Sequence, residues 1–292
     1  MLAEVEPAEK LLIMNPRAGS MTPGLEAQLR EAFADFRFLE LKEGEDLADA
    51  YASCPTSDEA TVVVVGGDGT VEAIVPCLAG TRQALGIIPL GTFNNFARAL
   101  ELPDASADAI EVVKTGAPTP VTIGRANGHA FVEVAAVGLF GDAVALGESA
   151  KERRFGELAE RLGRIARMKS FRYRLTGDVQ RHAHAYSIVA ANTPTVGARL
   201  EIATKKPTES GLELQVARDE RLLGTLLRFL AALVSRRRPS TRVYRVRQVH
   251  IETTPPVPFY ADAKEVGTTP VTIEAEVGGL HVILPARPAT QE

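Results

Sequence analysis

The sequence predicts an α/β N-terminal domain with a parallel sheet, followed by a C-terminal antiparallel β-sandwich domain. Three observations carry this reading. Four consecutive valines, Val62 to Val65, are apolar on both faces, as in a parallel strand covered by helices on each side. The run stops at a glycine-rich turn, and apolar residues then recur at Val71, Ile74, Val75 and Leu78, the spacing of one helix face. Beyond residue 118 the texture changes to short alternating or β-branched segments with few helical stretches between them.

The elements follow in order. Residues 10–14, KLLIM, form a first strand that runs into a turn, Asn15-Pro16-Arg17-Ala18-Gly19-Ser20. Thr22 and Pro23 start a helix to about Phe36; 37–41 is a strand, 45–53 a helix, 61–65 the valine strand and 84–88 a fourth strand. A βαβαβ order implies parallel pairing with right-handed crossovers. The fourth strand ends at Pro89-Leu90-Gly91-Thr92, and helices are expected at about 94–100 and 105–115. In the second half, 119–124, 130–136, 171–176, 183–191 and 211–217 read as strands, 241–254 and 271–284 add several more, and helical insertions fall at about 152–168 and 219–237. The domain boundary is placed near 118–125, giving domains at 1–120 and 121–284.

The turn after the valine strand is the chemically informative stretch. Gly66, Gly67 and Gly69 let backbone N–H groups converge without Cβ interference, Asp68 adds a carboxylate, and Thr70 opens a helix whose positive end faces the glycines. Together they predict a phosphate site. An ordinary βα connection would need one glycine and no Asp68. Ligands of open α/β sheets bind outside the carboxyl ends of strands, so the turns at 66–70 and 91–92 are expected to face one cleft.

Composition narrows the setting. A chain of 292 residues, 45% hydrophobic and 24% charged, can bury two cores. Cys54 and Cys77 cannot make a disulfide framework, and no signal-peptide pattern is seen, so a cytoplasmic protein is expected. The formal charge of −4 is unevenly spread: residues 1–60 hold thirteen Asp/Glu against five Lys/Arg, and 151–182 hold ten Lys/Arg against four Asp/Glu. A basic second half suits an anionic surface, and with no aromatic-interleaved basic motif the partner is expected to be membrane and not nucleic acid. Residues 222–234, LLGTLLRFLAALV, flanked by Arg221 and by Arg236, Arg237 and Arg238, are too short and too charged to span a bilayer. They read as an amphipathic helix, packed on the second domain or lying at the headgroup boundary. The five histidines, His129, His182, His184, His250 and His281, show no metal spacing.

Three segments now combine. Asn15-Pro16 with Gly19, Gly66-Gly67-Asp68-Gly69-Thr70 with Glu72, and GIIPLGTFNNFARAL at 86–100 resemble, in order and spacing, the diacylglycerol kinase catalytic fold of bacterial lipid kinases, sphingosine kinases and ceramide kinases. FVEVAAVGLFGDAV at 131–144, SGLELQV at 210–216, ADAKEVGTTPVTIEA from 261 and LHVILP at 280–285 are similar to that family's second domain. The resemblance implies a nucleotide domain followed by a lipid-substrate domain, with the chain end at about 285–292 returning to the first. It implies ATP in the interdomain cleft, phosphates at Gly66, Gly67, Asp68, Gly69, Thr70 and Thr92, Asn15 and Glu72 near the nucleotide, and Mg²⁺ on Asp68.

Two positions depart from the family pattern. Gly-Thr-x-Asn-Asp appears as Gly91-Thr92-Phe93-Asn94-Asn95, with an amide for a carboxylate. The closing Asp-Gly-Glu appears as Asp262-Ala263-Lys264, so the base is expected to be Asp262 or Glu265, beside Asp68 as the third catalytic carboxylate. The loop that holds a structural Mg²⁺ in the family reads Glu209-Ser210-Gly211. The expected function is an ATP-dependent lipid kinase acting on a diacylglycerol, ceramide or sphingoid hydroxyl, peripheral on the inner membrane face. Its expected partners are the membrane lipid, an anionic membrane surface and, as a homodimer, a second copy of the chain. The alternatives are an NAD-kinase-like phosphotransferase and a non-catalytic nucleotide- or lipid-binding protein.

Overall fold

The computed structural model describes residues 8–14, 21–42, 44–143, 156, 163, 169–197, 200–218, 242–262 and 264–286. Asn15, the stretch 222–234, Arg236, Arg237 and Arg238, and nearly all of both expected helical insertions lie outside the described residues. The chain divides into two compact units, Met1–Val121 with Gly278–Glu292, and Thr122–Val277.

The first unit is built from β1 (Ala8–Met14), α1 (Pro23–Ala32), β2 (Arg37–Glu40), α2 (Leu47–Ala52), β3 (Thr56–Gly66), α3 (Asp68–Leu78), β4 (Ala84–Pro89), α4 (Asn95–Ala99) and α5 (Ser106–Thr115). Its strands pair in parallel in the order β2-β1-β3-β4. The last strand of the chain, β17 (Val271–Leu284), closes the row, with His281 opposite Ala84 and Val282 opposite Leu85. Val62 to Val65 and Leu11 to Met14 are all fully buried, as strands covered on both faces must be. Leu29 and Phe33 press on this sheet together with Ile110 and Val113 of α5. Each such side chain contributes roughly 1.5–3 kcal/mol on burial.

Local signals set the helix ends. The Thr22 hydroxyl accepts from Leu25 N–H at 3.2 Å with Pro23 in the first turn, and Asp46 accepts from Ala48 and Asp49 N–H at 2.8 and 3.3 Å. α2 therefore starts two residues later than the sequence suggests. α1 stops at Ala32 and not near Phe36, because Phe33 leaves helical geometry and its ring meets Phe36 edge-on at 5.0 Å.

β5 (Ala117–Ala126) leads into the second unit, which continues with β6 (His129–Phe131), β7 (Val134–Gly138), β8 (Phe171–Gly177), β9 (Arg181–Ala191), the short β10 (Thr195–Val196) and β11 (Leu200–Glu201), and β12 (Leu212–Arg218). β13 (Arg242–Val246), β14 (Gln248–Thr254), β15 (Pro258–Ala261) and β16 (Lys264–Thr268) complete it. Pairing within the unit is antiparallel, along β16-β15-β7-β9-β8-β14-β17, with β12 on β9 and β13 on β12. β7 shows why its sequence is small and apolar throughout: Ala135 and Val137 enter one core cluster, Val134 and Ala136 the other. The hairpin β15–β16 is not read from sequence. Its strands carry Pro258 and Gly267, lack alternation, and are joined through Asp262, which takes the left-handed φ of 51° that Asp tolerates.

A polar network runs through this unit. Lys205 is fully buried, and its ammonium nitrogen donates to Asn192 Oδ1 at 2.6 Å and to Lys206 C=O at 3.0 Å. Asn192 Nδ2 in turn donates to Thr122 and Val132 C=O, both at 2.9 Å. Burial, with Arg245 adding to it, pushes the Lys205 amine down to about 7, against the opposing pull of Glu209 and Glu213. A folded-state value below the ordinary one means that the folded chain binds fewer protons between pH 7 and about 10. Stability is therefore expected to rise as pH climbs through that window, by at most about 5 kcal/mol. Urea midpoints at pH 6.5 and 9 check this: Lys205→Met should remove most of the rise, and an unchanged rise would show that Lys205 is not its source.

Candidate active site

In the first unit, β3 delivers its carboxyl end to Gly66, and Gly67 caps α3 in extended geometry. The sequence places the helix start at Thr70; α3 begins two residues earlier, at Asp68, and its apolar face is the expected one, with Val71, Ile74, Val75 and Leu78 all buried. Thr70 and Val71 N–H both bond Gly67 C=O, at 3.0 and 3.2 Å, so the turn is closed tightly on itself. Leu90 N–H bonds Gly66 C=O at 2.8 Å, which ties the end of β4 to the end of β3.

The glycines do different jobs. A Cβ on Gly66 would stand 2.3 Å from Thr70 Oγ1. One on Gly67 would stand 2.9 Å from the Gly91 Cα, and one on Gly91 would stand 2.6 Å from the Gly67 Cα. The two turns expected to share a cleft thus touch backbone to backbone. Gly69 is exposed, has no left-handed φ, and a Cβ there would meet no described atom within 4 Å. Neither packing nor backbone strain accounts for glycine at 69, where it costs helix stability of about 1 kcal/mol.

Asn94 locks the second turn. It takes left-handed geometry at φ 49°, accepts from Gly91 N–H through Oδ1 and donates to Gly91 C=O through Nδ2, both at 2.9 Å. Asn95, the amide at the position where the family resemblance leads one to expect a carboxylate, is 1% exposed. Asp68 is half-buried on the first turn of α3, Glu72 is half-buried one turn further along it, and Thr92 is exposed on the second glycine turn. Among the described residues no group of three His, Cys, Asp or Glu could hold a metal ion. Asp68 alone suits a Mg²⁺ carried in on phosphate oxygens, because that ion commonly takes one or two protein carboxylates and keeps water. The loop at Glu209 does not fit a metal, since Glu209 is engaged by the Arg245 guanidinium at 3.2 Å and by Lys206 N–H at 3.2 Å.

In the second unit, the two candidate bases have opposite surroundings. Asp262 is 7% exposed, and its carboxylate accepts from the N–H groups of Val132, Glu133 and Val134 at 3.1, 2.9 and 3.1 Å. Its own N–H returns a bond to Val134 C=O at 2.7 Å. This is a clamp on the start of β7, and it stands against Asp262 as a proton acceptor. Glu265 is exposed, and its Oε2 lies 3.2 Å from the Tyr260 hydroxyl. That hydroxyl donates to Asp142 Oδ1 at 2.6 Å. Asp142 and Tyr260 are both fully buried and are missed by sequence reasoning. A signal was present, because Asp142 is a carboxylate near the end of an otherwise largely apolar run.

The architecture is thus a parallel α/β unit with a glycine turn after its third strand, followed in the chain by an antiparallel sandwich. Residues 9–126 match the diacylglycerol kinase catalytic domain family, and 131–284 match the YegS C-terminal NAD kinase beta sandwich-like domain. The chain belongs to this diacylglycerol kinase-like family. It is 34% identical over 135 residues to a diacylglycerol kinase of Staphylococcus saprophyticus, and 32% identical over 135 residues to one of Staphylococcus carnosus. Each alignment covers 44% of this chain and 44% of the relative, so the chain spans under half the length of the curated relatives it matches. A putative diacylglycerol kinase structure from Bacillus anthracis superposes over 98% of this chain and 100% of its own, with a TM-score of 0.72 at 26% identity. An NAD kinase from Archaeoglobus fulgidus, solved with ATP, shares the fold at a TM-score of 0.53 and 12% identity, covering 94% of this chain and 92% of its own.

The two carboxylates are separable by experiment. Asp262→Ala leaves three backbone N–H groups without their acceptor and should cost about 2–4 kcal/mol of stability. Glu265→Gln should leave the urea midpoint within experimental error of wild type. Equal midpoints for both variants would show that the Asp262 clamp holds nothing.

Proposed function

We propose that the chain is an ATP- and Mg²⁺-dependent lipid kinase that phosphorylates a hydroxyl of a diacylglycerol, ceramide or sphingoid lipid. The observation that carries it is Gly69, a glycine that neither the described packing nor the backbone requires and that a phosphate approaching the backbone would require. Thr70 and Val71 N–H are committed to Gly67, and the N–H of the exposed Gly69, at the positive end of α3, takes the phosphate. Phosphoryl transfer depends on such positioning and electrostatic stabilisation more than on covalent help. Asp68 would hold Mg²⁺, which supplies charge neutralisation on the phosphates. Thr92 and Glu72 are proposed to contact the nucleotide from the same end of the sheet, and Asn15, which lies outside the described residues, is proposed as a further nucleotide contact on the family resemblance alone. Glu265 is the acceptor of the lipid hydroxyl's proton.

The diacylglycerol kinase relatives support the lipid class. The NAD-kinase alternative has only the shared fold behind it. A non-catalytic binding protein is the second reading, favoured by the buried Asn95 amide, the Asp262 clamp and the exposed Lys264. No helix among the described residues is long and apolar enough to cross a membrane. Membrane contact at the inner face is proposed through β8 and β9, where Arg172 stands opposite His184 and Arg174 opposite His182, all four exposed. In this reading the chain takes no nucleic-acid partner and associates as a homodimer.

Labelled ATP with a panel of lipids tests the activity, and wild-type protein that labels none of them would favour the non-catalytic reading. Gly69→Val should keep the fold and lose ATP affinity at least ten-fold by calorimetry; wild-type affinity in a folded variant would refute the phosphate turn. Vesicle sedimentation tests the surface: Arg172→Ser with Arg174→Ser should weaken binding to anionic vesicles several-fold, since each near-surface arginine contributes about 1 kcal/mol. Equal binding to neutral and anionic vesicles would remove this role.

A further inference from the structure

Among the described residues that no assigned role absorbs, the buried pair Asp142 and Tyr260 is joined directly to an exposed carboxylate. Tyr260 lies on β15 between β7, where it pairs with Ala136, and β16, where it pairs with Glu265. Directly opposite residues of an antiparallel pair share one face, so the phenol and the Glu265 carboxylate are brought together by register and not by chance of rotamer. Asp142 comes from the helical segment 139–143 that follows β7, a segment held by Phe140 N–H donating to Ser187 Oγ at 3.1 Å. The neighbouring Gly141 gives Tyr260 its room, since a Cβ there would stand 2.0 Å from the ring. Three elements therefore converge on one phenolic oxygen.

That oxygen carries a single proton and has two carboxylates within reach. The contact to Asp142 at 2.6 Å has the length of a charge-assisted O–H···O⁻ bond, which places the proton on that side. The same hydroxyl lies 3.2 Å from Glu265 Oε2, close enough to accept a hydrogen bond from that carboxyl once it is protonated. A proton arriving on Glu265 finds an acceptor already aimed at it.

We propose that Tyr260 and Asp142 are positioning residues for Glu265, holding its carboxyl by accepting its hydrogen bond once it has taken the proton of the acceptor hydroxyl. The inference rests on the kinase reading above. In the step, the lipid O–H bond breaks and its proton goes to Glu265. The hydroxyl oxygen forms a bond to the γ-phosphorus of ATP, and the bond from that phosphorus to the β,γ-bridging oxygen breaks, leaving the electron pair on ADP. The protonated Glu265 then donates to Tyr260, whose own proton stays with Asp142. Tyr260 and Asp142 touch neither substrate.

Steady-state kinetics on the full chain test this. Tyr260→Phe keeps the ring that packs on Gly141 and removes only the hydroxyl. It should lower kcat about 10- to 100-fold while the KM for ATP and the urea midpoint stay as in wild type. Asp142→Ala should lower kcat alike, and Asp142→Asn should recover part of the loss because its amide oxygen still accepts the phenolic proton. In a Glu265→Gln background, Tyr260→Phe should add nothing, which a purely structural role for the tyrosine would not predict. Wild-type kcat in Tyr260→Phe, with Glu265→Gln inactive, would overturn the inference and leave the kinase reading standing. A wild-type protein that phosphorylates no lipid would overturn both.

Discussion

The contact between Gly67 and Gly91 is the constraint on which the nucleotide-type unit depends. A Cβ on either glycine would enter the other's Cα at under 3 Å, so two strand ends are pressed together at backbone distance. Everything near it is arranged to keep that approach. Leu90 N–H bonds Gly66 C=O, Thr70 and Val71 close on Gly67, and Asn94 clips both polar groups of Gly91 from a left-handed turn. Because these bonds close each turn on itself and tie Leu90 to Gly66, neither turn can relax without leaving one of these groups orphaned. The exposed Gly69 sits on that rigid base, at the end of a helix dipole.

The second unit is held by a different device, buried polar groups that bind main chain. Asp262 accepts from three successive N–H groups at the start of β7, and Asn192 holds Val132 C=O from the other side while Lys205 holds Asn192. A buried charge is costly unless fully bonded, and both Asp262 and Lys205 are tied to main chain or amide oxygen by more than one hydrogen bond. Asp262 thus serves the fold of the hairpin. Glu265, three residues on, is set outward by the β15–β16 register above a buried phenol.

The sequence by itself determined the parallel α/β unit, the antiparallel unit after it, the family, and the glycine turn at 66–70. These are legible because their signals are local: a β-branched run, a period of 3.6, and three glycines within four residues record backbone requirements in the residues that meet them. Only the tertiary structure decided which glycines serve packing and which leaves its backbone open, since Gly67 is explained by a residue twenty-four positions away. It likewise separated Asp262 from Glu265, found the hairpin that carries them, and joined Tyr260 to Asp142 across more than a hundred residues. Hydrogen-bond saturation and cross-strand register are properties of paired segments. No single segment of chain contains the partner that decides them.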